Sequence, residues 1–527
     1  MAEPVLEGLT AAANGMPTVL AGKRALHSRY NPGEEAERYI ASLGAGPEVK
    51  YCILLEPGLG YLIPPLRKKC PAAKILVLHV SPFFSKLPAA EEAANAGPAD
   101  AAEGGGTAVW SPGSGRSLSS FLEEMIPDTA AAAIRLIEWR PAQDIYGEEY
   151  LKLLRETVEY IKRADANRRT VLGFGRRWFR NALRNAAIIR RAVVFTPGTL
   201  PCIVTGAGPS LEEAVPAILQ GHTGSCPDRA AAGAEKPGCF VLAAASSAPA
   251  LLARGLQPDM VISTDGGGWA LLHLYETLRP GGTILAAGLT AALPSQCAAL
   301  PVLVISDGSL WQGRLLRSLG IPFISLSQRG TVTASALDLA LALTGGGVFI
   351  AGTDLSHRDI LTHARPYAFD RLREERADRF SPAYSQSWVR ARNIAASGSH
   401  GIYAAWFKRR LETYPERLFT LGTNNEVFAA LTGGAIPGGA DRPFSVTAAG
   451  GPEPAGSAVP ARPVQFTGQA VRGGNPAEIL IEALEDPSEG PVIIKELGDL
   501  LFPGEADTEG AVREALAAAR AAAGRGR

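Results

Sequence analysis

Residues 202–211 read Cys-Ile-Val-Thr-Gly-Ala-Gly-Pro-Ser-Leu, and Leu211-Glu212-Glu213-Ala214-Val215 continues in a helical pattern. An apolar strand that enters a helix through so short a turn leaves the backbone few options. Gly206 and Gly208 can take angles closed to other residues and let a ligand approach the main chain, Pro209 fits a first helical position, and Ser210 supplies a hydroxyl. The free N–H groups of such a helix start favour a phosphate. A strand-to-helix turn also needs glycine for steric reasons alone, so the turn reads either as a ligand cradle or as a tight bend.

The pattern recurs downstream. Residues 240–244 form an apolar strand followed by Ser246 and Ser247, and 258–265 form another that ends in Ser263-Thr264-Asp265. Further short apolar strands fall at 283–287, 302–306 and 323–326, and Val348-Phe349-Ile350-Ala351-Gly352 leads to Thr353-Asp354. Strands alternating with helices predict an α/β fold built on a doubly wound, Rossmann-like parallel sheet. Ligands of such sheets bind outside the carboxyl ends of the strands, so Gly206, Gly208, Ser210, Ser263, Asp265 and Asp354 are candidates for one crevice.

The run 206–211, the strand ending in Ser263-Thr264-Asp265, the helix start Gly330-Thr331-Val332-Thr333 and Gly352-Thr353-Asp354-Leu355 together resemble one known domain. It is shared by the motility-associated flagellin glycosyltransferases and the archaeal 6-hydroxymethylpterin pyrophosphokinase. The likeness covers roughly residues 198–430, and the Gly-x-Gly-Pro-Ser-Leu turn also resembles that of bacterial sialyltransferases. The resemblance implies a sialyltransferase-like fold and transfer of a nonulosonic, sialic-acid-like sugar from a CMP-activated donor to serine or threonine of flagellin.

Upstream, residues 51–62 form another strand, glycine turn and helix start, with a second strand at 74–79. This reads as a separate small α/β unit. The motility family is similar in carrying such an amino-terminal domain with a Gly-x-Gly-Tyr turn, whereas the pterin enzyme is essentially the central domain alone. The turn at 58–61 has the backbone logic of a nucleotide site, but no acidic residue ends the second strand where a ribose ligand usually stands, which favours a structural turn.

With 527 residues, 46% of them hydrophobic, the chain can bury several cores. Lys plus Arg equals Asp plus Glu at 52 each, so no global charge supports a nucleic-acid partner. The six cysteines form no Cys-x-x-Cys pair and suggest a reducing cytoplasm. No basic-then-apolar leader opens the chain and no apolar run approaches a bilayer-spanning length, so neither secretion nor membrane insertion is expected.

Amphipathic periodicity predicts helices over 148–163 and 176–191, the second rich in arginine. Its charged face reads as solvated or as a partner for an acidic group, a membrane or a donor phosphate. Stretches at 88–116, 221–238 and 432–463 have linker-like composition. In the tail, 477–484, preceded by Pro476, and 508–523 read as helices around a strand at 492–494. The expected organisation is an N-terminal α/β domain (1–144) with a flexible insert near 88–116, a helical connector (145–197), a central glycosyltransferase-like domain (198–431), a linker (432–463) and a small C-terminal segment (464–527).

Sugar transfer from a nucleotide donor needs neutralisation of the leaving phosphate, positioning of the acceptor hydroxyl and a base for its proton. Gly206, Gly208, Pro209 and Ser210 suit the donor phosphate or ribose, and Ser263, Thr331 and Thr333 suit the nucleotide or sugar. Asp265 and Asp354 can orient sugar hydroxyls, act as base or hold a divalent cation. Thr264-Asp265-Gly266-Gly267 lacks the second carboxylate of an Asp-x-Asp metal motif, and the reading leans to metal-independent catalysis. Asp354 also reads as a cap for a helix over 355–360. Only seven histidines occur, and His357 and His363 follow Asp354 closely, so either imidazole can serve as acid or base. The histidine of sialyltransferase-like enzymes favours His363, and His400 is a third option. Arg329, just before Gly330, can pair with the carboxylate of a nonulosonic acid or stand as a surface arginine. Residues 423–425 form a further candidate sugar loop. Two other functions remain open, an ATP-dependent pterin pyrophosphokinase and a non-catalytic nucleotide-sugar-binding protein of flagellar assembly.

Overall fold

The structure is a computed structural model that describes residues 8–44, 46, 49–85, 106–222, 238–275, 278, 283–327, 329–395, 398–421, 462–503, 505 and 508–524. The expected loop at 423–425 lies outside them, as does most of the stretches expected to be flexible, and the His400 side chain is not described. The chain divides into two compact units. One comprises residues 1–173 with 502–506, the other 174–501 with 507–527.

In the first unit the strands Tyr51–Leu55, Lys74–Leu78, Thr107–Trp110 and Ile134–Glu138 form a four-stranded parallel sheet. Tyr51–Leu55 lies between Lys74–Leu78 and Ile134–Glu138, so the winding reverses beside the first strand. The Gly58–Tyr61 turn follows that strand and is filled by protein. A Cβ on Gly58, which has φ +59°, would strike Leu26 and His27, the Leu59 N–H donates to His27 Nε2 at 3.1 Å, and Tyr61 donates to the Pro17 carbonyl at 2.8 Å.

The second unit is the doubly wound α/β sheet that the sequence predicts. Its path runs Leu418–Leu421, Val348–Ala351, Cys202–Thr205, Phe240–Ala244, Met260–Ser263, Ile284–Gly288, Val302–Ser306, Arg191–Thr196 and Gln465–Ala470, with Phe323–Ser325 also on Val302–Ser306. All neighbours pair in parallel except Gln465–Ala470, which runs antiparallel to Arg191–Thr196. From Cys202–Thr205 the chain winds one way as far as Phe323–Ser325, then crosses back to place Val348–Ala351 on its other side. The topological switch point therefore lies between these two strands, where α/β sheets offer their ligand crevice. The strands are near-continuous apolar runs because a doubly wound sheet is covered on both faces. Helix Val332–Leu343 lays Ala336, Leu337, Ala340 and Leu343 into a core shared with Val204, Leu242, Ile262 and Ile350.

Three local expectations are corrected. The two amphipathic helices are one helix of 41 residues, Glu148–Ile188. Its middle is held by Asp165, which pairs with Arg168 at 3.1 Å and Arg169 at 2.7 Å, at the i,i+3 and i,i+4 spacings that support a helix. Residues 492–494 are not a strand but lie within helix Gly490–Leu501, whose Ile493, Leu497 and Leu501 share one buried face. A three-residue apolar run does not distinguish strand from helix. No helix spans 355–360: that stretch is an irregular loop with left-handed Leu355 (φ 50°) and Asp359 (φ 51°).

Among the described residues no helix is long and apolar enough to cross a membrane. A close approach of main chains lies at the switch point, where Gly352 has φ +64° and an added Cβ would sit 2.5 Å from the Gly206 carbonyl oxygen. Gly352→Ala is expected to destabilise the second unit by about 1–3 kcal/mol, the usual range for overpacking, seen as a lower urea midpoint; an unchanged midpoint would mean the strand ends are free to part.

Candidate active site

The Gly206–Ser210 turn and the Gly352–Asp354 turn interlock across the switch point. Gly206 N–H donates to the Ala351 carbonyl at 2.8 Å, and Gly208 N–H donates to that of Gly352 at 2.7 Å. A Cβ on Gly206 would lie 2.5 Å from the Gly352 oxygen, and one on Gly208 would lie 2.6 Å from Asp354 Oδ2. The two glycines are thus explained by close approach of one backbone to another. Asp354, buried to 9% exposure, accepts the Ser210 backbone N–H at 2.7 Å and the Ser210 hydroxyl. It caps helix Leu211–Gly221 from another strand, not a helix of its own. The acidic group at this helix start is the protein's own carboxylate, which answers the positive end of the helix dipole from within the fold. Pro209 lies in the turn, one residue before the Ser210 cap, instead of at a first helical position.

From this interlock the loop that follows Asp354 returns over the turn, where Ala364 N–H donates to the Ala207 carbonyl at 2.8 Å. It delivers a ring cluster. His363, half-buried, stacks on Tyr367 at 4.0 Å and its Nδ1 lies 2.9 Å from the Thr362 hydroxyl. Tyr367 also contacts His273 at 5.2 Å and Phe369 at 5.4 Å, and Phe369 reaches Trp269 at 6.1 Å. Arg373 and Arg390 lie 5.7 and 5.3 Å from the Tyr367 ring centroid. Burial pushes the His273 imidazole down to about 4, against an upward pull from Asp265 and with a smaller downward push from Arg390. His273 is therefore neutral at pH 7.

Asp265 is exposed and directly precedes Gly266, whose loop forms one wall of a cleft of about 470 Å³. Arg177, Asn181 and Arg184 line it from the long helix, Gly266, Gly268, Trp269 and Leu271 from the loop after Met260–Ser263, and Ala292 from the loop after Ile284–Gly288. The cleft thus sits outside the carboxyl ends of two central strands. The helix is pinned there by two asparagines. Asn181 Nδ2 donates to the Gly266 and Thr290 carbonyls at 3.1 and 3.0 Å, and Asn185 Nδ2 donates to those of Leu289 and Ala291 at 2.8 Å each. Gly266 is required because any side chain would enter the Trp178 ring. The two guanidinium groups make this the cationic wall of the crevice, and the exposed Trp269 ring offers an apolar face. Sequence reading passed over Arg177, Asn181, Arg184 and Trp269, although 177, 181, 184 and 185 fall on one helical face and asparagine among arginines was a signal.

The remaining expected residues scatter. Ser263 ends its strand, buried to 1% exposure. His357 is exposed, and its Nδ1 donates to the Asp359 carbonyl at 2.8 Å. Thr331 caps helix Val332–Leu343 by accepting the Ala334 N–H at 3.0 Å, and Thr333 lies half-buried in its first turn. Gly330 packs against the Tyr403 ring. Arg329 donates through Nε to Asp338 at 2.7 Å, and Asp338 also pairs with Arg410 at 2.9 Å. The carboxylate that Arg329 meets is thus internal. Among the described residues no three His, Cys, Asp or Glu side chains form a group that could hold a metal ion.

Residues 177–359 match the family model described as 6-hydroxymethylpterin diphosphokinase MptE-like. That domain is the one to which the turn at 206–211 and the strand ends at Asp265 and Asp354 pointed. A relative from Treponema pallidum (strain Nichols), described as an uncharacterized protein, is 27% identical over 315 residues, which cover 59% of this chain and 65% of that protein. The structure of MAf glycosyltransferase from Magnetospirillum magneticum AMB-1 aligns with a TM-score of 0.44 and 16% identity over 68% of this chain and 61% of that one. The chain therefore spans less than two thirds of the length of either.

Two outcomes follow from this geometry. Asp354→Ala leaves the Ser210 N–H without its cap and is expected to lower the stability of the second unit by about 1–2 kcal/mol, measured by urea titration; no loss would mean that water replaces the carboxylate. His273 has a folded value near 4 against an unfolded 6.5, so below pH 6.5 protons bind the unfolded chain first. Its contribution to stability therefore falls as pH drops from about 6.5 to about 4 and is constant above. The urea midpoint should decline across that window, and less so in His273→Gln; equal declines would remove His273 from the cause.

Proposed function

We propose that this protein is a glycosyltransferase that moves a nonulosonic, sialic-acid-like sugar from a CMP-activated donor to a serine or threonine hydroxyl of flagellin, in the cytoplasm before export. The observation that carries the reading is the cleft at the carboxyl ends of the central strands, lined by Arg177, Arg184 and Trp269, with Asp265 next in the chain to its lining residue Gly266. Two guanidinium groups suit the single phosphate of a departing nucleoside monophosphate. The Trp269 ring suits the apolar face of a sugar or base.

In this reading the acceptor oxygen forms a bond to the anomeric carbon as the carbon–phosphate-oxygen bond breaks. The electron pair leaves with CMP, whose phosphate charge Arg177 and Arg184 meet. The hydroxyl proton passes to Asp265, with His363 the second candidate for proton transfer. Asp354 acts through the turn it caps, as a positioning residue. Transfer is expected to persist in a chelator, since the cationic wall is supplied by side chains.

A second reading is favoured by the family-model match, an ATP-dependent 6-hydroxymethylpterin diphosphokinase. The two readings call for different nucleotides. A ligand at a hundred times its dissociation constant raises stability by about 2.7 kcal/mol, so a thermal-shift panel separates them. Stabilisation by CMP but not by ATP with Mg²⁺ is expected, and the reverse would overturn the glycosyltransferase. Arg184→Ala is expected to weaken CMP binding by roughly 10- to 100-fold, the value of a charge-assisted hydrogen bond. The intact mass of flagellin from cells lacking this chain, lower by a sugar-sized increment, tests the transfer itself.

A further inference from the structure

The helices after the antiparallel strand Gln465–Ala470 bear on the cleft-lining helix both directly and through a neighbouring helix that one carboxylate caps. Helix Leu310–Ser318 begins at Ser309, a residue type suited to capping, yet the Ser309 hydroxyl is buried and makes no hydrogen bond. Its place is taken by Glu496, from helix Gly490–Leu501. Glu496 Oε1 accepts the Leu310 N–H and Oε2 the Trp311 N–H, both at 2.9 Å. A carboxylate that satisfies two orphan donors at a helix start is a strong cap, because its charge also opposes the positive end of the helix dipole.

The capped helix bears directly on the cleft. Trp311, buried to 2% exposure, packs its ring against Phe179 at 5.9 Å, and Phe179 lies between Arg177 and Asn181 on the long helix. A second contact fixes the same stretch. Gly175 lies so close to the Leu500 carbonyl that no side chain fits between them, and Arg176 Nε donates to the Leu501 carbonyl at 3.3 Å. Arg314 and Glu489 add an ion pair at 3.0 Å between the capped helix and the start of the capping one. Helix Gly490–Leu501 thus holds the long helix directly at Gly175–Arg176 and, through Trp311 of the helix it caps, at Phe179, on either side of Arg177.

We propose that Glu496 is a positioning residue for the cleft: by capping helix Leu310–Ser318 it sets Trp311 against Phe179 and so fixes where Arg177, Asn181 and Arg184 present their polar groups. The structural half of this inference stands on the contacts alone, whereas the effect on ligand binding rests on the donor-site reading given above.

Amide hydrogen exchange and CMP calorimetry on the full chain test the two halves separately. In Glu496→Ala, exchange is expected to quicken roughly tenfold in both 310–318 and 177–188, the size of a lost cap, with Glu496→Gln intermediate because it keeps one acceptor. Faster exchange in 310–318 alone would overturn the proposal, and Glu496→Gln decides the matter should the alanine variant fail to fold. CMP affinity is expected to fall about five- to tenfold in Glu496→Ala, half an order or more towards the loss in Arg184→Ala. If Arg184→Ala weakens CMP binding and Glu496→Ala does not, the positioning role is refuted. If the unaltered chain binds no CMP, the donor reading fails and exchange alone judges the clamp.

Discussion

Everything at the carboxyl edge of the large sheet depends on the backbone interlock between the Gly206–Ser210 and Gly352–Asp354 turns. Two strands that are neighbours in space and distant in sequence meet here, and their loops leave buried N–H groups that need partners. The Ala351 and Gly352 carbonyls take two of them and the Asp354 carboxylate a third. Each bond contributes about 0.5–1.5 kcal/mol, but an unmet buried donor costs more, so the set is kept whole. Glycine at 206, 208 and 352 is what lets the two main chains come this close.

The interlock also decides where a ligand's charge can go. With Asp354 at the start of helix Leu211–Gly221, the positive end of that helix is already answered. The cationic wall stands along the next crevice, where Arg177 and Arg184 face the loop after Met260–Ser263. Between the two places lies the ring cluster of His273, Tyr367, Phe369 and His363, anchored through Ala364 to the glycine turn. Burial keeps His273 neutral there, beside the exposed Asp265 carboxylate. A carboxylate so placed can accept a proton or a hydroxyl.

Most of the sheet was legible because strand identity is written locally. The runs at 202–205, 240–244, 302–306 and 418–421 are apolar, short and bounded by turn residues, and a doubly wound sheet makes such runs almost inevitable. Cap chemistry was legible where it was local, as at Thr331, and illegible where it came from afar. Asp354 looked like the cap of the residues that follow it and is the cap of a helix 144 positions earlier. Arg329 read as a ligand partner or a surface arginine and is held by Asp338, nine positions later within helix Val332–Leu343. The arginine face of the long helix read as solvated or as a partner for an acidic group, a membrane or a donor phosphate, because nothing in its own sequence says that a loop from the sheet will close a cleft against it.

The sequence by itself determined the elements and the class of fold: hydrophobic period, glycine placement and strand-helix alternation are properties of a few adjacent residues. Only the tertiary structure decided which polar groups are spent on the protein and which remain for a ligand. A hydrogen bond needs a partner within about 3 Å, and for Ser210, Leu310 and Arg329 that partner comes from elsewhere in the chain. The glycine turn that most constrains the fold is consumed in holding it together, and the polar groups left at the cleft belong to a helix whose sequence does not name the loop that packs against it.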